Sequence, residues 1–340
     1  MAQKDAPPLS NPLDLIELIG KEFSGMNDEA FKYILNRKEA VEAINEHFRD
    51  TVNLIQSVVD YGTNLIPRCF ESSERKLEDI VILPGLLWHI VSMLDGLEVL
   101  VSQGCIYAAH LQVRSLFEAF LNLEWILRED TSKRARQYYV WNLRLRRKWA
   151  LRFVPSSADH NDFIRRAEKY QKSLLARSQE HNHEASQQAG AISNLLSKAP
   201  YHEINQEFDR LKGDRKYDVP WYKPAGPNSI ADMAERVGYR AEYEVFYSQY
   251  SQIMHASSQL DNVKFASESI TFEPIRKLDR LRPILDVGIG FSIRAFKTVL
   301  NKYRPQEIEN FSRKYTNDWR DPFLSIKGVT YNVNDQTLDF

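Results

Sequence analysis

The chain has 340 residues, 43% of them hydrophobic and 27% charged, which is the composition of a folded globular protein. Its 45 basic and 46 acidic residues leave a formal net charge of −1, which excludes attraction to nucleic acid or membranes through overall charge. The two cysteines, Cys69 and Cys105, lie in apolar helical patterns, which predicts reduced, packed thiols and no zinc site. The N-terminus "MAQKDAPPLSNP" has no apolar run, so we expect no secretory signal and a cytoplasmic location.

The first part of the chain predicts helices throughout. Short amphipathic helices are predicted over 12–23 and 27–35, and a longer one over 37–66, where apolar residues recur every three or four positions. The two most apolar helices follow over 80–102 and 104–129. The short turn "SQG" joins them, so we expect antiparallel neighbours at the centre of a bundle.

The window "IVILPGLLWHIVSMLDGLEVLV" is the most apolar of the chain. It contains Pro84, His89, Asp95 and Glu98, whereas a bilayer span needs roughly 20 uninterrupted apolar residues. We therefore predict a buried helix and no membrane partner.

The second part is also predicted to be mostly helical. Further helices are predicted over 131–153, 159–188, 190–198, 201–212, 230–237, 240–257 and 278–303. Ser229 is the predicted N-cap of the helix over 230–237, with Asp232 at its third position.

The predicted organisation has three segments. N-terminal helices over 1–79 pack on a bundle core over 80–303, and a tail follows over 304–340. The very polar helix over 159–188 protrudes from this core, and "GDRKYDVPWYKPAGPNS" over 213–229 is a loop.

The C-terminal segment "SIKGVTYNVNDQTLDF" alternates apolar residues before and after "ND". Such alternation predicts a hairpin. The predicted fold class is therefore all-α, a multi-helix bundle with a small C-terminal β-hairpin.

The helix over 104–129 carries a polar stripe on an apolar background. His110, Arg114, Glu118 and Asn122 follow one another at every fourth position. A buried arginine or glutamate is costly unless it is paired. Arg114 and Glu118 therefore either pair with each other as a structural network or form part of a site.

A second stripe lies on the helix over 240–257. Tyr247, Ser251 and His255 are four residues apart, and Tyr250 lies beside them. If the two helices face each other, a cation, a carboxylate and an imidazole share one pocket, which suits phosphate binding and proton transfer. The predicted catalytic residues are Arg114, Glu118 and His255, and His110, Tyr247, Tyr250 and Ser251 are predicted to bind the ligand.

The motifs "RSLFEAFLNLEWIL", "WYKP", "SIADMAERVG" and "YSQYSQIMHASS" occur in this order. Together they resemble a bacterial helical family catalogued as domain of unknown function fifty-six seventy-seven, over roughly residues 80 to 260. The resemblance implies a site at its signature positions, which adds Trp221 to the predicted ligand-binding residues. It implies no particular reaction.

One chemistry that suits such a site is metal-independent RNA cleavage, by analogy with HEPN-type ribonucleases of bacterial defence and toxin systems. Those enzymes use an Arg-x4–6-His motif, which "RSQEHNH" from Arg177 to His183 fits formally. Arginine and histidine are expected by composition in so polar a helix, so the match is typical of chance. Arg114 and His255 would instead act from separate helices.

The run "TSKRARQYYVWNLRLRRKWALRF" holds eight basic residues and no acidic one, interleaved with aromatic rings. Cations with stackable rings suit single-stranded nucleic acid, which makes RNA or a nucleotide a predicted partner. The predicted nucleic-acid-binding residues are Arg144, Arg146, Arg147 and Lys148. The alternative is a solvated face whose rings belong to the core.

Other sites are less well supported by the sequence. Ser251 and His255 could form a hydrolase pair with Glu118, but no nucleophile elbow accompanies them. A Glu-x2-His pair at Glu180 lacks the second pair that a di-iron bundle needs, so neither a metal nor a cofactor is predicted. His89 is interpreted as a satisfied core histidine.

Whether the protein is an enzyme stays open at this stage. The rival to an RNA-cleaving protein is a non-catalytic one that binds a partner chain or forms a homodimer. In that case the Arg/Glu/His cluster is a structural network.

Overall fold

The computed structural model describes residues 34–155, 157–167, 182–215, 217–256, 262–265, 270–332 and 337–339. The helix predicted over 12–23 lies outside the described residues, as do all but the last two residues of the one predicted over 27–35. Residues 168–181 of the predicted polar helix, which include Arg177 and Glu180, lie outside them as well.

The described helices account for most of the described chain. In chain order they are α1 (Arg37–His47), α2 (Arg49–Glu71), α3 (Leu77–Ile80), α4 (Trp88–Ser102), α5 (Ile106–Arg128), α6 (Thr131–Leu151), α7 (Ala158–Ala167), α8 (Asn182–Leu196), α9 (Ala199–Lys212), α10 (Ile230–Val237), α11 (Arg240–Glu242), α12 (Ser248–Met254), α13 (Leu281–Tyr303), α14 (Ile308–Lys314) and α15 (Arg320–Leu324). Wider π-helical turns at Val81–Leu87, Tyr243–Tyr247 and Tyr315–Trp319 continue α3, α11 and α14 into the next helix, and 3₁₀ turns occur at Lys223–Ala225 and Pro305–Glu307.

The predicted all-α fold class is confirmed. The prediction that a C-terminal β-hairpin forms part of the fold is wrong. Extended pairing in the described residues is confined to two antiparallel ladders of three residue pairs each. They join β1 (Val263–Phe265) to β2 (Ile270–Phe272) and β3 (Thr330–Asn332) to β4 (Thr337–Asp339). Each ladder has only two strands and belongs to no larger sheet. A two-stranded ladder by itself is marginally stable in water. The alternating pattern near the C-terminus therefore adds no β layer to the helical bundle.

The chain divides into two compact units. Unit 1 comprises the described residues within 1–72, 87–120 and 241–340, and unit 2 those within 73–86 and 121–240. Each unit has its own helical packing.

The centre of unit 1 is formed by α2, α4 and α13, which pack against one another. Helix α5 joins this core through Phe117 and Phe120, whose rings each lie 4.8 Å from that of Phe291 on α13. The sequence predicted a centre formed by the helices over 80–102, 104–129, 240–257 and 278–303. In the structure α2 packs with α4 and α13 at the centre of unit 1, and the predicted helices over 80–102 and 104–129 are each divided between the two units.

Two glycines allow the helices of unit 1 to approach closely. A Cβ atom at Gly62 would lie 2.5 Å from the ring of Phe296 and 2.8 Å from Val91. One at Gly288 would lie 2.5 Å from Leu97. Real Cβ atoms do not approach neighbours this closely, so a Cβ atom at either crossing would require the neighbouring side chain to move.

The helix predicted over 37–66 is in fact two helices. Phe48 separates α1 from α2 with backbone angles φ −128° and ψ 16°, which are not helical. Phe48 is buried, so packing of its ring accompanies the break.

One continuous helical stretch in the described part, Leu77–Ser102, is long and apolar enough to cross a bilayer. Half of its most apolar window is buried inside the protein. Core helices of globular proteins meet the same criteria of length and composition.

The core of unit 2 forms where α6, α8 and α9 pack together. Its buried residues are Val140, Leu143, Ile192, Leu196, Phe208 and Val219. The connection from α9 to α10 has, in its described residues 213–215 and 217–229, no regular structure except the 3₁₀ turn, and Val219 and Trp221 within it are buried.

Helix α10 begins as the sequence predicts. The backbone N–H of Asp232 donates to the Ser229 hydroxyl at 3.1 Å, which is the N-cap contact expected from these residues. Gly238, at φ 88°, ends the helix in the left-handed conformation that glycine adopts readily.

Candidate functional site

The polar stripe of α5 contains an ion pair in unit 1. Arg114 Nη2 lies 3.0 Å from Glu118 Oε1, one helical turn along. The Arg114 side chain is only 13% exposed, whereas that of Glu118 is 35% exposed. The guanidinium is therefore largely removed from water, and its carboxylate partner stays accessible to solvent.

Tyr247 connects this ion pair to the second predicted stripe. Its hydroxyl accepts a hydrogen bond from Arg114 Nη2 at 2.7 Å and donates one to Glu118 Oε1 at 2.6 Å. The Arg114 guanidinium also lies 4.7 Å from the centre of the Tyr247 ring. Burial raises the pKa of Tyr247, and so does the hydrogen bond that its hydroxyl donates to the Glu118 carboxylate. The phenol therefore keeps its proton.

The wide turn Tyr243–Tyr247 positions this tyrosine. In this turn the helix is wider than an α-helix, and Tyr247 is its last residue. Such π-helical turns occur often at functional sites. The ring of Tyr243 stacks on that of Tyr247, with centres 4.9 Å apart. The two predicted stripes are thus brought together at Arg114 and Tyr247.

His255 is not part of this cluster, which corrects the predicted convergence. It follows the last residue of α12 and is exposed, and its backbone N–H donates to the carbonyl of the half-buried Ser251 at 3.1 Å. Within the described chain the His255 side chain makes no hydrogen bond or ion pair with Arg114 or Glu118. Because α12 ends at Met254, the periodicity that would have turned His255 inward stops one residue too early.

A different histidine, His89, contacts α5 next to the ion pair in sequence. His89 Nε2 on α4 is hydrogen-bonded to the hydroxyl of Ser115 at 2.8 Å, and Ser115 lies between Arg114 and Glu118 on α5. His89 is half-buried, and burial lowers its pKa, although the Glu118 charge opposes this effect. The imidazole is therefore neutral near pH 7, and the charge of Glu118 acts on its pKa.

The position of His89 was readable in part from the sequence. The turn near Gly104 makes α4 and α5 antiparallel, and His89 and Glu118 lie almost equally far from that turn along the chain. Residues at equal distances from a tight helical turn are brought opposite each other. This antiparallel register was the signal in the sequence that could have placed His89 near Glu118. It does not indicate any particular reaction.

His110 and Tyr250 form a second contact between the stripes. Their rings meet edge to face with centres 4.7 Å apart. His110 Nδ1 lies 3.1 Å from the carbonyl oxygens of both Ile106 and Tyr107, so Nδ1 carries the proton. Burial lowers the pKa of His110 to about 4, so this imidazole is neutral and no cation stands here.

Trp221 belongs to the core of unit 2. Its indole N–H donates to Asn122 Oδ1 at 3.1 Å, and its ring meets Tyr138 edge to face at 5.1 Å. The tryptophan is buried, so these contacts hold the connection 213–229 against α5 and α6. Asn122, the fourth residue of the predicted stripe, is thus bound within unit 2.

One arginine of the basic run on α6 is engaged in structural contacts. Arg144 binds Asp218 at 2.8 Å, Asp209 at 2.9 Å and Asn205 Oδ1 at 2.6 Å, and its side chain is only 9% exposed. Burial by itself would lower the pKa of Arg144, but the two carboxylates raise it. This arginine is therefore not available to nucleic acid.

The other three predicted nucleic-acid-binding residues have different surroundings. Arg146 is exposed, Arg147 is half-buried, and Lys148 Nζ lies 5.5 Å from the centre of the Tyr217 ring. Of the four, Arg146 is the most open to solvent. Lys148 is half-buried beside an aromatic ring.

The formal HEPN-type motif lies only partly in the described chain. His183 is exposed at the start of α8, and Arg177 is outside the described residues. Among the residues that the structure describes, no group of three histidine, cysteine or acidic side chains could hold a metal ion.

Comparison with known proteins gives the family and no more. No curated protein and no solved structure matches the chain. Membership of a family of unknown function is what the sequence motifs predicted, and nothing in the comparisons bears on the HEPN-type analogy. The model of the Family of unknown function (DUF5677) matches residues 80–269, more than half of the chain, and the protein belongs to that family.

Proposed function

We propose that the protein is a metal-independent RNA-cleaving enzyme whose site lies around His89, Ser115 and the Arg114–Glu118 pair. The observation that carries this proposal is the 2.8 Å hydrogen bond between His89 Nε2 and Ser115 Oγ. It places a neutral, half-buried imidazole against α5, at the residue that follows Arg114 and within range of the Glu118 charge.

RNA suits this set of groups because it brings its own nucleophile. The 2′-hydroxyl attacks the adjacent phosphorus, the bond from phosphorus to the 5′-oxygen breaks, and a 2′,3′-cyclic phosphate forms. His89 would take the proton of the 2′-hydroxyl, and the departing 5′-oxygen would take one from solvent. A histidine with a lowered pKa is unprotonated at neutral pH, as a general base must be.

Arg114 would neutralise the phosphate charge. Its Nη2 is bound to Tyr247 and Glu118, but among the described residues its Nη1 contacts only the sulfur of Met254. A thioether is a weak acceptor, and a phosphate oxygen is a much stronger one. Met254 is 46% exposed, so its side chain can move aside for such a ligand.

Trp88 adds a surface for a base. It directly precedes His89 and is 58% exposed, which is unusual for so large an apolar ring. Nucleic-acid bases stack on exposed aromatic rings at about 1–3 kcal/mol per base. An RNA substrate agrees with the predicted cytoplasmic location, and a bacterial defence or toxin role would follow from the activity by analogy alone.

The test uses the full chain and a single-stranded RNA in EDTA, with 2′,3′-cyclic phosphate ends as the readout. His89→Gln should reduce the rate at least about 100-fold, since loss of a general base typically costs this much. His255→Gln separates the two assignments and should change the rate less than twofold, as should the exposed His202→Gln control. Absence of cleavage by the wild type, or full activity of His89→Gln, would refute the proposal.

A second candidate function rests on the engagement of Arg114. Its guanidinium contacts Glu118, Tyr247 and Met254 at once, as it would in a structural network. The protein would then bind a partner chain or form a homodimer without catalysis. In that case the wild type cleaves no RNA, and His89→Gln lowers the free energy of unfolding by about 1–3 kcal/mol, because the Ser115 hydroxyl loses its partner.

A further inference from the structure

The last turns of α6, in unit 2, carry a tryptophan on the surface. Trp149 is 59% exposed, although a ring of this size is mostly buried in folded proteins. The other aromatic rings of the same basic run have partners inside unit 2, and they belong to Tyr138, Tyr139 and Trp141. Packing of the core therefore accounts for those rings and does not account for Trp149.

Two arginines flank Trp149 along the helix. Arg146 precedes it by three residues and Arg152, the C-cap of α6, follows it by three, and residues at this spacing are neighbours on a helix surface. The Arg152 guanidinium lies 3.9 Å from the centre of the Trp149 ring and 6.0 Å from that of Phe163. The six-residue separation of the two arginines corresponds to a rise of about 9 Å along the helix axis. This face of α6 thus presents a cation, a ring and a second cation in a row.

The arginines of this face have no carboxylate partner. In the part of the chain that the structure describes, Arg146, Arg147 and Arg152 form no ion pair. Asp162, on the neighbouring helix α7, already binds Arg165 at 2.6 Å. The guanidinium groups are therefore available to an anion, and phosphate oxygens are among their strongest acceptors.

A second exposed ring accompanies the neighbouring lysine. Lys148 Nζ lies 5.5 Å from the centre of the Tyr217 ring, and Tyr217 is 65% exposed. Exposed rings with adjoining cations are the arrangement that binds single-stranded nucleic acid, because bases stack on the rings and phosphates contact the cations.

The composition of this face favours nucleic acid over a lipid surface. A helix that lies on a membrane needs a continuous apolar face as well as cations. Within α6, Trp149 is the one large apolar side chain that is exposed, and Ala150 beside it is buried. The face therefore has the charge for an anionic membrane but not the apolar area.

We propose that Arg146, Trp149 and Arg152 form a binding surface for single-stranded RNA. One base would stack on the indole, and the two guanidinium groups would bind phosphates of the same strand. The inference rests on the proposed function in that RNA is the ligand of both, and it adds the place in unit 2 where the strand is held.

The experiment measures binding separately from cleavage, in the full chain. The probe is a fluorescein-labelled 2′-O-methyl oligouridine of about 12 nucleotides, whose methylated 2′-oxygen cannot attack phosphorus, and binding is followed by anisotropy. Trp149→Ala should raise Kd at least about fivefold, because stacking of one base is lost. Trp149→Phe keeps a ring on which a base can stack and should stay within about threefold of the wild type.

The arginines are tested through the salt dependence of the same binding. Each phosphate contact of a single strand contributes about 0.7 to the slope of log affinity against log salt concentration. Arg146→Gln and Arg152→Gln should therefore each reduce that slope by about 0.7. Lys198→Gln removes an exposed cation at the start of α9 and should leave both the slope and the affinity unchanged.

Failure of this surface and failure of the cleavage proposal give different results. If the wild type cleaves RNA while Trp149→Ala, Arg146→Gln and Arg152→Gln bind the probe as the wild type does, the surface is overturned and cleavage stands. If the wild type binds the probe with the expected losses in the variants but leaves RNA intact, the surface stands and cleavage is overturned. No binding of the probe at low salt, or equally tight binding of polyglutamate or of phosphatidylglycerol vesicles, would overturn the assignment to RNA.

Discussion

Tyr247 and Tyr250 permit one substitution to be compared at two sites with opposite hydrogen bonding. Both tyrosines are buried in unit 1, three residues apart. The Tyr247 hydroxyl bonds to Arg114 at 2.7 Å and to Glu118 at 2.6 Å, whereas that of Tyr250 is unpaired in the described chain. Removing each hydroxyl with Tyr→Phe should therefore change stability in different directions.

The magnitudes follow from these contacts. Hydrogen bonds to charged groups contribute about 1.5–3 kcal/mol each. The direct Arg114–Glu118 contact of 3.0 Å survives in Tyr247→Phe, and Glu118 is 35% exposed, so water replaces part of the loss. We expect Tyr247→Phe to cost about 2 kcal/mol in all. Tyr250→Phe should cost nothing and gain up to about 1 kcal/mol, because an unpaired hydroxyl is no longer buried.

The assay is urea denaturation at pH 7.5, followed by circular dichroism, with the m-value checked for constancy. A double-mutant cycle of Tyr247→Phe with Glu118→Gln should give a coupling energy of about 1 kcal/mol. Equal destabilisation by the two Tyr→Phe substitutions would refute the hydrogen-bond reasoning. So would a coupling energy near zero.

Three further predictions concern packing, the basic run and pH. Gly62→Ala should destabilise unit 1 by about 1–3 kcal/mol in the same denaturation assay, because the new Cβ overlaps a phenylalanine ring at 2.5 Å. Arg144→Met should destabilise unit 2 by about 3 kcal/mol, since Asp218 is left unpaired at 14% exposure, whereas Arg146→Met at an exposed position should change stability by less than about 0.5 kcal/mol. His110 has its pKa lowered from 6.5 to about 4, so the unfolded chain binds its proton first and stability falls as pH drops through this window. The loss should approach about 3 kcal/mol at pH 4 and be absent in His110→Gln, and a wild-type profile that stays flat between pH 6.5 and pH 4 would contradict it.

The helices and the meeting of the two polar stripes were predictable because both depend on local periodicity. Arg114 and Glu118 are one turn apart, so their pairing follows from helix geometry. The Ser229 cap follows from local chemistry in the same way. That Tyr247 would reach Arg114 required one further assumption, which is that the two apolar helices face the same core.

The imidazole and the free cations were not predictable in this manner. His255 continues the four-residue spacing of the stripe in the sequence. In the structure α12 ends at Met254, and His255 is exposed to solvent. His89 reaches Ser115 only through the antiparallel register of two neighbouring helices. The two carboxylates that bind Arg144 come from α9 and from the connection that follows it.

By itself the sequence determined an all-α chain with an arginine–glutamate pair on an apolar helix, because side-chain period and helix capping act over a few residues. Tertiary structure decided which histidine stands beside that pair, which arginines stay free and which tyrosine keeps an unpaired hydroxyl. Those outcomes depend on where each helix ends and on contacts between residues far apart in the chain. No local pattern encodes such distances.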